Sequence, residues 1–206
     1  MENIVRTFIA KVLPDLDETT TGLYALSLVE QPAVDIIDGS EVFYSFEKQE
    51  SIEYKFADEE KHIVTGVIML ANTPIERYNK ELGKHYITYP PETIQLMMEK
   101  AMKLSTVNNL NLQHNSEDKT NGLYLIESYI KDSTKGIVPE RFSKIPDGSW
   151  IASYKVTNMD LWEEIKLGKY IKGFSLEGNF GYQEVNFSKD ENKEDSFESF
   201  INELLK

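Results

Sequence analysis

A chain of 206 residues with 40% hydrophobic and 11% aromatic residues can build one ordinary globular core and is too short for two large ones. Its 35 Asp and Glu against 22 Lys and Arg leave a formal charge of −13, which repels a phosphate backbone and argues against nucleic acid as the main partner. The absence of cysteine excludes disulfides, thiolate metal sites and a cysteine nucleophile, and it fits a reducing compartment. The opening Met-Glu-Asn-Ile-Val-Arg is not a basic start followed by an apolar leader, and no apolar run approaches the ~18–20 residues that cross a bilayer. A soluble, intracellular protein without a membrane partner is expected.

Residues 1–61 read as an extended N-terminal arm with an acidic linker. The arm carries strand-like Phe8–Leu13 and Gly22–Val29, and from Asp35 to Glu60 acids outnumber bases. An edge hairpin followed by a loop is the alternative. The folded core is expected over 62–187. His62–Leu70 is a β-branched, apolar run of the kind found in buried strands, and Lys84–Tyr89 is a second strand closed by Pro90-Pro91. A helix then starts with Pro91 in its first turn, with Ile94, Met97, Met98, Ala101 and Leu104 at helical spacing. Three short strands follow around 109–114, 122–129 and 150–156, the polar Asn115–Asn121 joining the first two as a hairpin connection. Asn158 caps a second helix whose apolar face is Leu161, Trp162 and Ile165, with Gly168 placed to stop it. Tyr170–Gly178 is a strand and Phe180–Phe187 continues extended. The order is mostly β with two helices, so the class is α+β, with a β-rich core in the form of a barrel or strongly curved sheet. Residues 188–206 are a charged linker and a tail. Phe197, Phe200, Ile201, Leu204 and Leu205 fall on one stripe of a short amphipathic helix, which must dock on its own core or on a partner.

Only three histidines exist, so a histidine-based mechanism has few candidates. His62 and His85 read as boundary or surface imidazoles. His114 ends Asn109-Leu110-Asn111-Leu112-Gln113-His114, where period two puts it on the face of Leu110 and Leu112, partly desolvated as a general base requires. Ser175 sits in Gly173-Phe174-Ser175-Leu176-Glu177-Gly178, whose glycines suit a backbone oxyanion hole. The second glycine comes one residue too late for a Gly-x-Ser-x-Gly elbow, and on this segment alone the reading is a strand serine beside a β-bulge. Glu127, on the strand after His114, is the first choice for the carboxylate that orients the imidazole; Asp132 and Glu177 are the reserves. The His-Glu-x-x-His zinc pattern and a phosphate loop are both absent, so neither a metal nor another cofactor is expected.

Taken in order, several pieces resemble the XkdF-type phage serine proteases, relatives of the prohead proteases of tailed phages. They are Gly66–Ile75, Tyr86 with Pro91–Ile94, Asn111-Leu112-Gln113-His114, Ile126–Ile130, Gly148–Ile151, Leu161-Trp162-Glu163 and Lys172–Gly178. Ala25–Val34 is similar to what precedes that core in the family. The resemblance implies a β-barrel like that of the herpesvirus assemblin proteases, with His114 as base and Ser175 as nucleophile; the family's Glu-Ser pair matches Glu127-Ser128. It further implies an endopeptidase that cuts scaffold and major capsid protein extensions, and often itself, inside the prohead in the bacterial host cytoplasm. A capsid-assembly or scaffold-like structural protein that keeps the fold without turnover is the alternative of a different class. Self-association into a homo-oligomer is compatible with either.

Overall fold

The computed structural model describes residues 6–13, 21–29, 57–58, 61–167, 169–170 and 173–185. The acidic linker beyond Val29, apart from residues 57–58, the stop at Gly168 and the Phe197–Leu205 stripe lie outside the described residues. The strands are β1 (Arg6–Lys11), β2 (Gly22–Val29), β3 (Ala57–Asp58), β4 (Ile63–Met69), β5 (Ile75–Asn79), β6 (Gly83–Thr88), β7 (Leu110–Leu112), β8 (Asn115–Lys119), β9 (Leu123–Ile130), β10 (Trp150–Val156), β11 (Gly173–Asn179) and β12 (Gly181–Val185). The helices are α1 (Pro91–Lys103) and α2 (Met159–Lys166). The strands form three four-stranded sheets, ordered β12-β1-β6-β5, β3-β4-β10-β9 and β11-β2-β7-β8. The chain is thus α+β and β-rich, as its sequence pattern predicts. The expected assemblin-like barrel is not formed: among the described residues the pairing leaves three open sheets.

β1 and β2 depart furthest from the expectation of an extended arm. β1 lies between β12 and β6, antiparallel to the first and parallel to the second. β2 lies between β11 and β7 in the same manner. Each is an inner strand of its sheet, neither pairs with the other, and Leu23, Leu26, Leu28 and Val29 of β2 are buried. A strand rich in apolar residues reads as a detached arm only while its partners, far away in sequence, are unknown.

One core cluster runs through all three sheets and both helices, from Phe8 and Leu26 to Ile94, Met97, Trp150, Tyr154, Trp162 and Phe174. α1 starts with Pro91 at its first position and buries Ile94, Met97 and Ala101. α2 is capped by Asn158, whose Oδ1 accepts from the backbone of Asp160 (3.1 Å) and Leu161 (3.2 Å). Besides the two-residue β3, which falls in the expected acidic linker, two strands escaped the sequence reading. β5 has one buried apolar position, Ile75, and borders its sheet, so it lacks the alternation of a half-buried strand. β8, polar Asn115-Ser116-Glu117-Asp118-Lys119, occupies what the sequence marks as a hairpin connection.

Leu104 caps the C-terminal end of α1, and the next residue, Ser105, takes the left-handed conformation at φ 59°. A residue with a Cβ is strained there, and glycine is the usual occupant of this position after a helix. Ser105→Gly is expected to raise stability by about 0.5–1 kcal/mol, read from the urea midpoint. A decrease would mean that the helix ends differently in solution.

Candidate active site

Three apolar–polar–apolar triplets meet in the sheet β11-β2-β7-β8. They are Phe174-Ser175-Leu176 on β11, Leu26-Ser27-Leu28 on β2 and Leu110-Asn111-Leu112 on β7. Ser175 is opposite Ser27, and Ser27 is opposite Asn111, so the three polar residues form one row across the sheet. Phe174, Leu26, Leu28 and Leu110 point to the other face and into the core. Burying one face therefore forces the polar row onto the opposite face, where Ser27, Asn111 and Ser175 are nonetheless buried.

His114 joins this face from a turn rather than from a strand. β7 ends at Leu112, and Gln113 (φ 52°) and His114 (φ 58°) reverse the chain into β8 as a two-residue hairpin turn. Positive φ at both positions normally calls for Asn-Gly, and a Gln-His pair stores on the order of 1 kcal/mol or more per residue. The turn carries the imidazole to the face of Asn111. This differs from the period-two expectation, which put it in line with Leu110 and Leu112.

Glu177, two residues beyond Ser175 on β11, reaches the same point. Its Oε1 lies 3.2 Å from His114 Nδ1, accepts from Asn111 Nδ2 at 2.7 Å and from Ser27 Oγ at 2.7 Å. Ser27 Oγ is also 3.1 Å from His114 Nδ1 and 2.5 Å from Asn111 Oδ1. Burial pushes the Glu177 carboxyl up, but the bonds from Asn111, Ser27 and His114, together with the imidazole's charge, outweigh it and hold the group below the ordinary value of 4.5. The ionised form is thus favoured by folding. Its contribution to stability is complete above pH 4.5 and fades as pH falls through the lower folded value. Glu177→Gln should accordingly be less stable than wild type near pH 7, with the gap closing as pH falls below 4.5. A gap that does not change with pH would show that the carboxylate is not held ionised; urea titrations at several pH values read it.

The other candidates have settled structural partners. Glu127 lies in β9 on a different sheet, where its Oε2 accepts from Ser153 Oγ at 2.6 Å and Ser153 in turn meets Thr65 at 2.9 Å. Asp132 caps the turn Ser133–Lys135, and its bonds from Thr134 and Lys135 hold it at about 2. Of the three carboxylates weighed from sequence, Glu177 is the one in contact with His114. His62 stacks on Trp162 at 4.9 Å between centroids. His85 is buried, with Nδ1 2.9 Å from the Gly83 carbonyl and its ring perpendicular to that of Phe8. Gly178 is explained by packing, since a Cβ there would stand 2.7 Å from the Gly22 carbonyl of β2.

Ser175 differs from Ser27 in one respect. Its Oγ is buried and has no hydrogen-bond partner among the described residues. Buried hydroxyls are nearly always paired, and an orphan in a polar cluster needs a reason. Ser27 and Asn111, by contrast, were missed by sequence reasoning, although a signal existed in the three triplets just described.

An imidazole held through Nδ1 by a carboxylate, half exposed and 3.1 Å from the Ser27 hydroxyl, with Ser175 opposite Ser27 on the next strand, is a side-chain set of the kind serine hydrolases use. The chain matches the model of the family described as "Putative phage serine protease XkdF" over residues 51–184, well over half its length. It belongs to that family. Searches of curated proteins and of solved structures return no match.

Proposed function

We propose that the protein is a serine endopeptidase in which Ser175 is the nucleophile, His114 the general base and Glu177 the carboxylate that orients it. The observation that carries this reading is the pairing of His114 Nδ1 with Glu177, which leaves Nε2 for proton transfer, in a sheet whose neighbouring buried hydroxyl, Ser175, has no partner among the described residues. As substrate binds, His114 turns Nε2 towards Ser175 and takes its proton while Oγ attacks a peptide carbonyl. Collapse of the tetrahedral adduct breaks the C–N bond, and His114 returns the proton to the leaving amine. Water, deprotonated by the same imidazole, then releases the acyl group. With Ser175 3% exposed, a peptide reaches the hydroxyl only when this face opens.

Membership of a phage protease family supports, as substrates, the scaffold and major capsid protein extensions of the assembling prohead in the bacterial host, and in addition the chain itself. Co-expression of wild type, His114→Gln and Ser175→Ala with the phage's coat and scaffold proteins tests this, with fragments read by mass spectrometry. Cleavage in wild type alone is expected. Cleavage that persists in Ser175→Ala removes that residue as nucleophile. Intact coat and scaffold in all three samples would favour a structural role in capsid assembly.

A further inference from the structure

β2 lies wholly outside the 51–184 span that matches the family model, yet its Ser27 meets three side chains of the site, as many as Glu177 does. One hydroxyl meets Asn111 Oδ1 at 2.5 Å, Glu177 Oε1 at 2.7 Å and His114 Nδ1 at 3.1 Å, with the residue fully buried. Protons decide how these contacts are used. Asn111 donates Nδ2–H to Glu177 Oε1 at 2.7 Å, which turns its Oδ1 towards Ser27. The Ser27 hydroxyl brings a single proton for two oxygen acceptors, Asn111 Oδ1 and Glu177 Oε1. The set is therefore short of donors, and its oxygens repel one another unless a further N–H points in. The imidazole Nδ1, 3.1 Å from Ser27 Oγ and 3.2 Å from Glu177 Oε1, is the group placed to supply it.

We propose that Ser27 and Asn111 are positioning residues: with Glu177 they form an acceptor pocket that binds Nδ1–H of His114 and so keeps the neutral imidazole in the tautomer whose Nε2 is free. Left to itself in water, a histidine side chain favours the opposite tautomer, with the proton on Nε2, which leaves that nitrogen unable to accept one. Ser27 acts from β2, Asn111 from β7 and Glu177 from β11, so the tautomer depends on all three strands being in register. The proposal rests on the peptidase reading for its purpose, though not for its test.

The test is ¹⁵N NMR of the imidazole nitrogens at a pH where His114 is neutral, with its signals assigned by their loss in His114→Gln. Wild type is expected to show Nδ1 protonated and Nε2 bare. Ser27→Ala and Asn111→Ala are expected to shift His114 towards the Nε2–H form, and Ser27→Thr, which keeps the hydroxyl, to restore the wild-type pattern. In parallel, cleavage of a coat-protein peptide should fall about 10- to 100-fold in the two alanine variants, mainly in kcat, as expected when a base is misaligned. Two positions on two strands guard against one variant failing to fold. An Nε2–H tautomer in wild type, or an unchanged tautomer in both alanine variants, overturns the proposal whatever the cleavage assay gives. A tautomer shift in a protein that cleaves nothing upholds the positioning role and instead removes the peptidase reading.

Discussion

Ser175→Ala is expected to lose peptide cleavage by about 10⁴-fold or more while becoming more stable than wild type by up to about 1–2 kcal/mol. The two effects have one origin. The Ser175 hydroxyl is buried, 3% exposed for the residue as a whole, and has no hydrogen-bond partner among the described residues, so the folded state bears the desolvation of a polar group without return. Deleting the oxygen removes that cost and leaves a void of one atom. Ser27, one strand away, should behave in the opposite sense: its hydroxyl meets Asn111, Glu177 and His114, and Ser27→Ala should lose about 1–3 kcal/mol. Urea unfolding reads stability, and labelling with a fluorophosphonate followed by intact mass reads the nucleophile. Ser175→Ala that is less stable than wild type by 1 kcal/mol or more would show the hydroxyl to be bonded in solution, and labelling that survives it would move the nucleophile elsewhere.

Gly148→Ala should be the most damaging single methyl in the folded core, lowering stability by about 3 kcal/mol. Gly148 has φ +86°, which already costs a residue with a Cβ about 1–2 kcal/mol. The added Cβ would also stand 2.6 Å from Cβ and 2.7 Å from Cγ of Pro91. Pro91 is the first residue of α1 and its ring cannot rotate away, while Gly148 is held by its own N–H to the Lys131 carbonyl at 2.8 Å and leads directly into buried Ser149 and Trp150. Neither side yields cheaply. Gly136→Ala is the control: its φ is +72°, but a Cβ there meets nothing within 4 Å, so only the conformational part, about 1 kcal/mol, is expected. Equal losses at the two glycines would show that helix α1 does not press on the turn.

Much of the local structure was legible in the chain. Apolar runs marked β4, β6, β9, β10 and β11, helical spacing marked α1 and α2, and Pro91 and Asn158 stand at the helix starts where the chemistry of helix ends puts them. The site that holds His114 and Ser175 was legible only in part. Both belong to the same sheet, but Glu127, chosen because it follows His114 on the next predicted strand, bonds to Ser153 in another. That choice assumed that neighbours in sequence pair, whereas β7 takes β2 and β8 as partners and β9 takes β10.

What the residues determined alone is whatever depends on near neighbours: strand and helix periodicity, caps, and the apolar–polar–apolar triplets that commit Ser27, Asn111 and Ser175 to the face away from the core. Tertiary structure decided which triplets lie side by side. β2 enters between β11 and β7 through pairings that set Ser27 opposite Asn111, 84 residues on, and opposite the still more distant Ser175. Such pairings are chosen by the shared burial of Leu26, Leu28, Leu110 and Phe174, a property of the assembled core. The carboxylate that meets His114 follows from that register, and a strand read as a detached arm becomes the middle of the site for the same reason.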